Sequence, residues 1–320
     1  MKFFSNHPTL TFIAKIAMGI GLIAALISYL DFHTLLDSLV HAKLMYLAIG
    51  GVLMIANIAV QFYRWRFLLR LLDKSIPNDV VLSSLLIGFA AGFFTPGQIG
   101  EYGGRVASLR SLRTSKVLAT SLIDKLYFLA VVIIGGSSAL LPFAFYFQKQ
   151  YWSVLYFVLA ALVIIAMGTV LLYPQQARRA LALLPKKLLA SKAAAAFLSV
   201  SEFFRRKQAR IFLLLTMLLY VIILAQYSFI ARAFESVPLY SGAMCAASIL
   251  FVKSAFLPIS IGDLGIREGT AIFFFSRAGF SPATAFNTSM FLFFFNIFIP
   301  SLIGAFYIIR TKRQKSNPTP

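Results

Sequence analysis

Residues 96–105 read PGQIGEYGGR, and residues 258–267 read PISIGDLGIR. With the prolines superimposed, Gly100 falls on Gly262, Glu101 on Asp263, Gly103 on Gly265 and Arg105 on Arg267. Both stretches have the form P-x-x-x-G-[DE]-x-G-x-R. Each cuts short an apolar run: Val80–Phe94 stops at Thr95-Pro96-Gly97, and Tyr240–Leu257 stops at Pro258. How a chain uses two such charged, glycine-rich interruptions depends on the solvent it folds in.

Composition identifies that solvent. The 320 residues are 60% hydrophobic and only 12% charged, with a net charge of +20. A soluble domain carries about a quarter charged residues, so the chain reads as an integral membrane protein. The positive charge does not point to nucleic acid, because no basic stretch is interleaved with stacking aromatics. It lies mostly between apolar runs, where Lys and Arg set membrane orientation. Cys245 is the one cysteine, and His7, His33 and His41 lack metal-ligand spacing. No metal site, cofactor site, nucleophilic triad or nucleotide fingerprint is expected.

A run of about 20 apolar residues is the unit that crosses a bilayer as a helix. Six such runs stand out: Phe12–Leu30, Leu44–Tyr63, Val117–Leu141, Trp152–Tyr173, Ile211–Ile230 and Phe286–Ile309. The first is read as a retained helix rather than a leader, because no small-residue cleavage site follows it. Arg64, Arg66, Arg70 and Lys74, the basic residues between 178 and 210, and Arg310, Lys312, Arg313 and Lys315 are assigned to the cytoplasmic side. Both termini are then cytoplasmic, and the expected location is the cell inner membrane. Arg105, Arg110, Arg113 and Lys116 follow Val80–Phe94 and read as cytoplasmic as well, so that run re-enters. Tyr240–Leu257 must re-enter from the other face. Within 185–210, Leu189, Ala193, Phe197, Val200 and Phe204 recur at helical spacing opposite Lys and Arg, as in an interfacial amphipathic helix.

The fold class predicted is an all-α polytopic membrane protein with about six full transmembrane helices plus two re-entrant broken helices in an inverted repeat. One integral domain covers 1–320: an N-terminal helix and loop (1–43), a first repeat half (44–141), a connecting span with the amphipathic helix (142–210), a second repeat half (211–309) and a basic tail (310–320). Matched, interrupted segments in two halves mark the substrate site of secondary transporters. Non-helical backbone at that depth survives only where protein or a wet cavity satisfies it.

This gives the motif residues their expected roles. Pro96, Gly97, Gly100, Gly103, Pro258, Gly262 and Gly265 form the backbone breaks, with glycine permitting sharp turns and close approach. Where helix resumes, free N–H groups favour an anion. A charge at bilayer depth costs about 2.5–3.5 kcal/mol on insertion scales, so Glu101, Asp124, Asp263 and Glu268 should be paired or functional. Arg105, Lys125, Lys253 and Arg267 are their expected partners. Asp124 and Lys125 should not pair with each other, since adjacent helical residues diverge by about 100°. Asn57, Gln61, Gln226 and Asn296 read as interhelical glue, and Tyr63, Trp65 and Trp152 as an interfacial aromatic belt.

The stretches RWRFLL (64–69), TPGQIGEYGGR (95–105), DK (124–125) and LPISIGDLGIREG (257–269) resemble the transmembrane region of lysylphosphatidylglycerol synthases. That region also occurs as a stand-alone, flippase-like membrane protein family. The resemblance covers nearly the whole chain and implies movement of a lipid between leaflets. It does not imply aminoacyl transfer, which in the two-domain synthases belongs to a soluble C-terminal domain; this chain ends at KRQKSNPTP soon after the last run, so no such domain is expected. The functional expectation is translocation of a lipid or lipid-like amphiphile with a charged head group, of the phospholipid or polyprenyl type. Arg105 and Arg267 would contact phosphate, while Glu101, Asp263 and Glu268 balance them, bind an amine or carry a proton. An intramembrane head-group enzyme and a non-transporting partner of a lipid-modifying enzyme remain the alternative classes. A homo-oligomer or such an enzyme would be the protein partner.

Overall fold

The computed structural model describes residues 28, 32–93, 95, 98–109, 111–147, 160–162, 164, 165, 168, 175, 176, 204–255 and 265–316. The runs Phe12–Leu30 and Trp152–Tyr173 and most of the 185–210 segment lie outside the described residues or nearly so. So do Pro96, Gly97, Pro258, Gly262 and Asp263. Among the described residues every regular element is helical: α1 Phe32–Val40, α2 Leu44–Leu72, α3 Asn78–Phe93, α4 Gly100–Ser108, α5 Thr114–Phe147, α6 Arg206–Phe234, α7 Leu239–Ala255, α8 Ile266–Arg277, α9 Pro282–Phe293, and α10 Ile299–Ser316. A five-residue π-helical turn, Phe294–Phe298, joins α9 to α10.

Four of these are long and apolar enough to cross a membrane: Leu44–Leu72, Thr114–Leu140, Arg206–Phe234 and Pro282–Ile309. Each covers one of the apolar runs to within a residue and begins or ends beyond it. Two of the extensions bring in charge: α2 continues through Arg64, Arg66 and Arg70, and α6 begins at Arg206. Charged side chains are good helix formers, so hydropathy ends before the helix does. Similarly, α10 carries 310–316 on as helix where a tail was expected.

α2 and α6 are the central pair and run antiparallel. The start of α2 meets the end of α6: Lys43 N–H donates to Ala233 O at 2.8 Å, and Gln226 Nε2 donates to Gly50 O at 3.0 Å. The end of α2 meets the start of α6, where Phe67 stacks on Phe212. Asp73 closes α2. Its Oδ1 accepts from Ser75 Oγ (2.7 Å) and Ser75 N–H (2.8 Å), and these bonds hold its carboxyl below the usual range.

α3 and α7 are shorter, at 16 and 17 residues, or roughly 24 and 26 Å of rise against a hydrocarbon core of about 30 Å. α3 folds back onto α4. A Cβ at Gly100 would sit 2.2 Å from the Ala91 carbonyl oxygen, and one at Gly104 2.8 Å from that of Ile87, so only glycine allows this approach. Such small-residue contacts are how helices pack where no hydrophobic force drives them together. Ile76, just before the hairpin's first arm, and Val81, in the first turn of that arm, share an apolar cluster with Leu109 after its second arm. Contacts also link the earlier helices of the chain to the later ones. α3 packs on α10, where a Cβ at Gly304 would lie 1.9 Å from Leu86 O. α7 packs on α5, where a Cβ at Gly136 would lie 2.3 Å from Phe251 Cβ.

α1 was read as part of a loop. It is a short helix laid against α9, with Leu35 buried beside Ala283 and Phe286. Ser281 caps α9 by accepting from Thr284 N–H, Pro282 follows at the first turn, and Ser281 N–H donates to Glu235 Oε2 at 2.9 Å.

Candidate functional site

The first break is stitched by one hydroxyl. Thr95 Oγ1 donates toward Ala91 O and Gly92 O at the end of α3, and accepts from Gly100 N–H at 2.7 Å as α4 begins. Gln98, between them, holds φ at 58°, a left-handed conformation uncommon for a residue with a side chain. Glu101 and Arg105 then follow one turn apart on α4, and Arg105 Nη2 donates to Glu101 Oε1 at 2.5 Å.

The pair belongs to a larger network. Arg105 Nη1 reaches Asp124 Oδ2 on α5 at 3.2 Å, and Lys125 Nζ reaches Glu101 Oε2 at 2.6 Å. Arg64, from α2, lies 2.8 Å from Asp124 Oδ1, out of line for a directed hydrogen bond, and donates to the Asp124 carbonyl at 3.0 Å. Asp124 and Lys125 thus turn to different partners, as their helical spacing requires. Behind them the fully buried Trp65 lies under the Arg105 guanidinium, 4.2 Å from Cζ to the ring centroid, and donates from Nε1 to Ser84 Oγ at 2.8 Å. That cation–π contact helps fix Arg105 away from water.

The described end of the second motif, Gly265 to Arg267, opens α8. Gly265, at φ 87°, precedes the helix, and Glu268 reaches back to its N–H at 2.7 Å. This is the carboxylate half of a capping box. Arg267 pairs with Glu268 and donates from Nε to Ser289 Oγ on α9 at 2.9 Å. Ser289 Oγ also donates to Glu268 Oε1 at 3.1 Å.

Between α4 and α8 lies a cavity of about 180 Å³. Asn57, Gln61, Arg64, Glu101, Asp124 and Lys125 face it from one side, and Lys253, Arg267 and Asn296 from the other. The expected site residues therefore converge, with three adjustments. Arg105 and Glu268 are buried behind the cavity wall rather than on it. Gly103 is no part of the break: it lies inside α4, and a Cβ there would meet nothing within 4 Å. Close approach falls instead on Gly100 and Gly104. Asp263, Gly262, Pro258, Pro96 and Gly97 lie outside the described residues.

Two residues were assigned elsewhere. Arg64 read as a cytoplasmic flank and Trp65 as an interfacial anchor. Both are buried in α2, because the helix carries on past the apolar run. A signal was present: Asn57, Gln61 and Arg64 recur at i, i+4 and i+7, a polar stripe on one helix face. Gln226 and Asn296 do join helices, through Gln226 to Gly50 O and Asn296 Nδ2 to Gln226 Oε1 at 2.7 Å. Asn57 and Gln61 instead bond to each other at 2.7 Å beside the cavity.

The electrostatics are lopsided. The site holds five cations (Arg64, Arg105, Lys125, Lys253, Arg267) and three acids (Glu101, Asp124, Glu268) among the described residues. Arg64 Nε and Asn296 Oδ1, both from residues lining the cavity, have no hydrogen-bond partner among the described residues. Such a site can take an anion. No cluster of His, Cys, Asp and Glu suited to a metal ion occurs among the described residues.

Helices of this length and hydropathy, around a charged internal cavity, define a membrane protein with several apolar helices. The sequence profile of the lysylphosphatidylglycerol synthase TM region matches residues 12–304, and the chain belongs to that family. No curated protein and no solved structure matches it.

Proposed function

We propose that the protein moves a lipid, or a lipid-like amphiphile with a charged head group, between the leaflets of the cell inner membrane. The observation that carries this is the cavity between α4 and α8, lined by more cations than acids among the described residues and by two polar atoms, Arg64 Nε and Asn296 Oδ1, without hydrogen-bond partners among them. Arg64 and Arg267 are the arginines at the cavity surface. They would take a phosphate, while Arg105 sets Glu101 and Asp124 in place behind them.

The framework is an inverted repeat. The antiparallel α2–α6 pair, the two short hairpin arms and their exchange of contacts with α10 and α5 support it. So does the apolar cluster shared by both ends of the α3–α4 hairpin. In this reading α3–α4 and α7–α8 re-enter from opposite faces, and both termini are cytoplasmic. The two halves rock against each other around a site near the midplane.

The test is reconstitution of purified protein in liposomes carrying a panel of labelled phospholipids with anionic, zwitterionic and cationic head groups. Movement of at least one lipid without chemical turnover is the expected result. Product formation would establish a head-group enzyme instead. No movement and no product from folded protein would leave only a partner role.

A further inference from the structure

α2 and α6 are each 29 residues long. The register that places Arg105 on Arg267 also places the first residue of α2 on the first residue of α6. In that register Asn57 falls on Leu219, Gln61 on Ile223 and Arg64 on Gln226. The first two pairs line the cavity from both sides, near the middle of their helices. At equivalent places one helix therefore offers amides and the other offers hydrocarbon. The third pair diverges too. Arg64 faces the cavity with its Nε unpartnered among the described residues. Gln226 is wholly committed to packing, donating to Gly50 O and accepting from Asn296.

We infer that the two central helices divide an amphiphile between them: α2 holds the charged head group at Asn57, Gln61 and Arg64, and α6 carries the apolar part along Leu219 and Ile223. This rests on the lipid-translocation reading and deepens it. Each wall suits one part of such a molecule. A buried polar group needs hydrogen-bond partners, which α2 supplies, and a methylene chain needs none. Size points the same way. At about 180 Å³ the cavity is smaller than the 300–1,000 Å³ typical of drug-sized ligands, so it fits a head group while the chains leave it. Leu218, next to Leu219, is 48% exposed, and Leu214 and Val221 are exposed as well. α6 is thus apolar both where it lines the cavity and on its outward side.

Photo-crosslinking of the full chain in nanodiscs tests this without any mutation. Two phosphatidylglycerol probes would be used, one with a diazirine on the head-group glycerol and one with it at the acyl carbon nearest the ester. Adducts competed by unlabelled lipid are mapped by mass spectrometry. The head-group probe should label α2 around 57–64, and the chain probe α6 around 219–223, with at least a fivefold preference each way. In the exchange variant N57L/Q61L/L219N/I223Q the head-group preference should shift towards α6. Competable adducts from both probes on the same helix, or with the preferences reversed, would overturn the division while leaving lipid entry intact. Absence of any competable cavity adduct would overturn the lipid reading itself.

Discussion

Arg105 and Lys125 share one acid, Glu101, yet their surroundings differ sharply. The Arg105 side chain is 2% exposed and that of Lys125 is 39% exposed. Removing Arg105 takes the buried partner from Glu101 Oε1 and Asp124 Oδ2, while Lys125 and Arg64 still reach the other oxygens, a loss of up to about 3–5 kcal/mol for a broken buried pair. Removing Lys125 lets water reach the freed oxygen, and a half-open pair contributes at most about 1 kcal/mol. Thermal unfolding in detergent should therefore show Arg105→Gln far less stable than Lys125→Gln. Equal losses would mean that Arg105 is as accessible as the lysine. The glycines give a second contrast at this scale. Gly103→Ala adds a methyl to open space inside a helix and should be neutral or raise stability by up to about 1 kcal/mol. Gly265→Ala forces a side chain onto φ 87°, a left-handed conformation that costs about 1–2 kcal/mol. Denaturation curves that rank these two in the opposite order would contradict the backbone described for α4 and α8. The motif repeats the two glycines in sequence, but only one needs its special dihedral, and no pattern of letters distinguishes them.

At the scale of elements, the contact of α10 with α3 is the tightest described. A Cβ at Gly304 would lie 1.9 Å from the Leu86 carbonyl oxygen, which belongs to helix backbone and cannot swing aside. Gly304→Ala should separate the two helices and lower stability by roughly 1–3 kcal/mol, the usual cost of overpacking. Gly51→Ala, in open space on α2, is the control. Melting temperatures of the two variants check this, and a Gly304→Ala protein as stable as Gly51→Ala would refute the packing. The same scale shows what the sequence made legible and what it did not. Existence and order of the four long helices followed from apolar runs, because lipid demands about 20 apolar residues per crossing. Their ends did not, because helix extends through Arg64, Arg66 and Arg70, where hydropathy has already collapsed. Arg64 and Trp65 were misplaced for that reason alone. The site was half legible. The repeated motif pointed to Glu101, Arg105 and Arg267, and the scarcity of acids near it to Asp124 and Glu268. Which arginine reaches the cavity depends on rotation about α2 and α4, and rotation is settled by tertiary contacts such as Trp65 against Arg105.

For the whole molecule, the antiparallel meeting of α2 and α6 puts the end of α2 and the end of α6 at opposite extremes of the bundle. Cysteine accessibility in a Cys245→Ser background makes that measurable. Lys74→Cys and Arg113→Cys flank the α3–α4 hairpin and should react from one side, the cytoplasmic side in the proposed topology. Ser236→Cys, just after α6, should react only from the other. Opposite sidedness for Lys74→Cys and Arg113→Cys would make α3–α4 a crossing and remove the re-entrant reading. One small element bears on the packing of the last span. The π turn at Phe294–Phe298 winds its bonds one residue wider than an α-helix does. Such a turn takes in one residue more than regular winding does for the same rotation, so deleting one residue there would let the helix relax to regular winding with everything beyond it near its present angle. A deletion between Phe298 and Gly304 has no such slack. It would rotate Gly304 away from Leu86 by about 100°, presenting a bulkier neighbour to the backbone of α3. The last span thus tolerates the loss of a codon at the wide turn and not a few residues later.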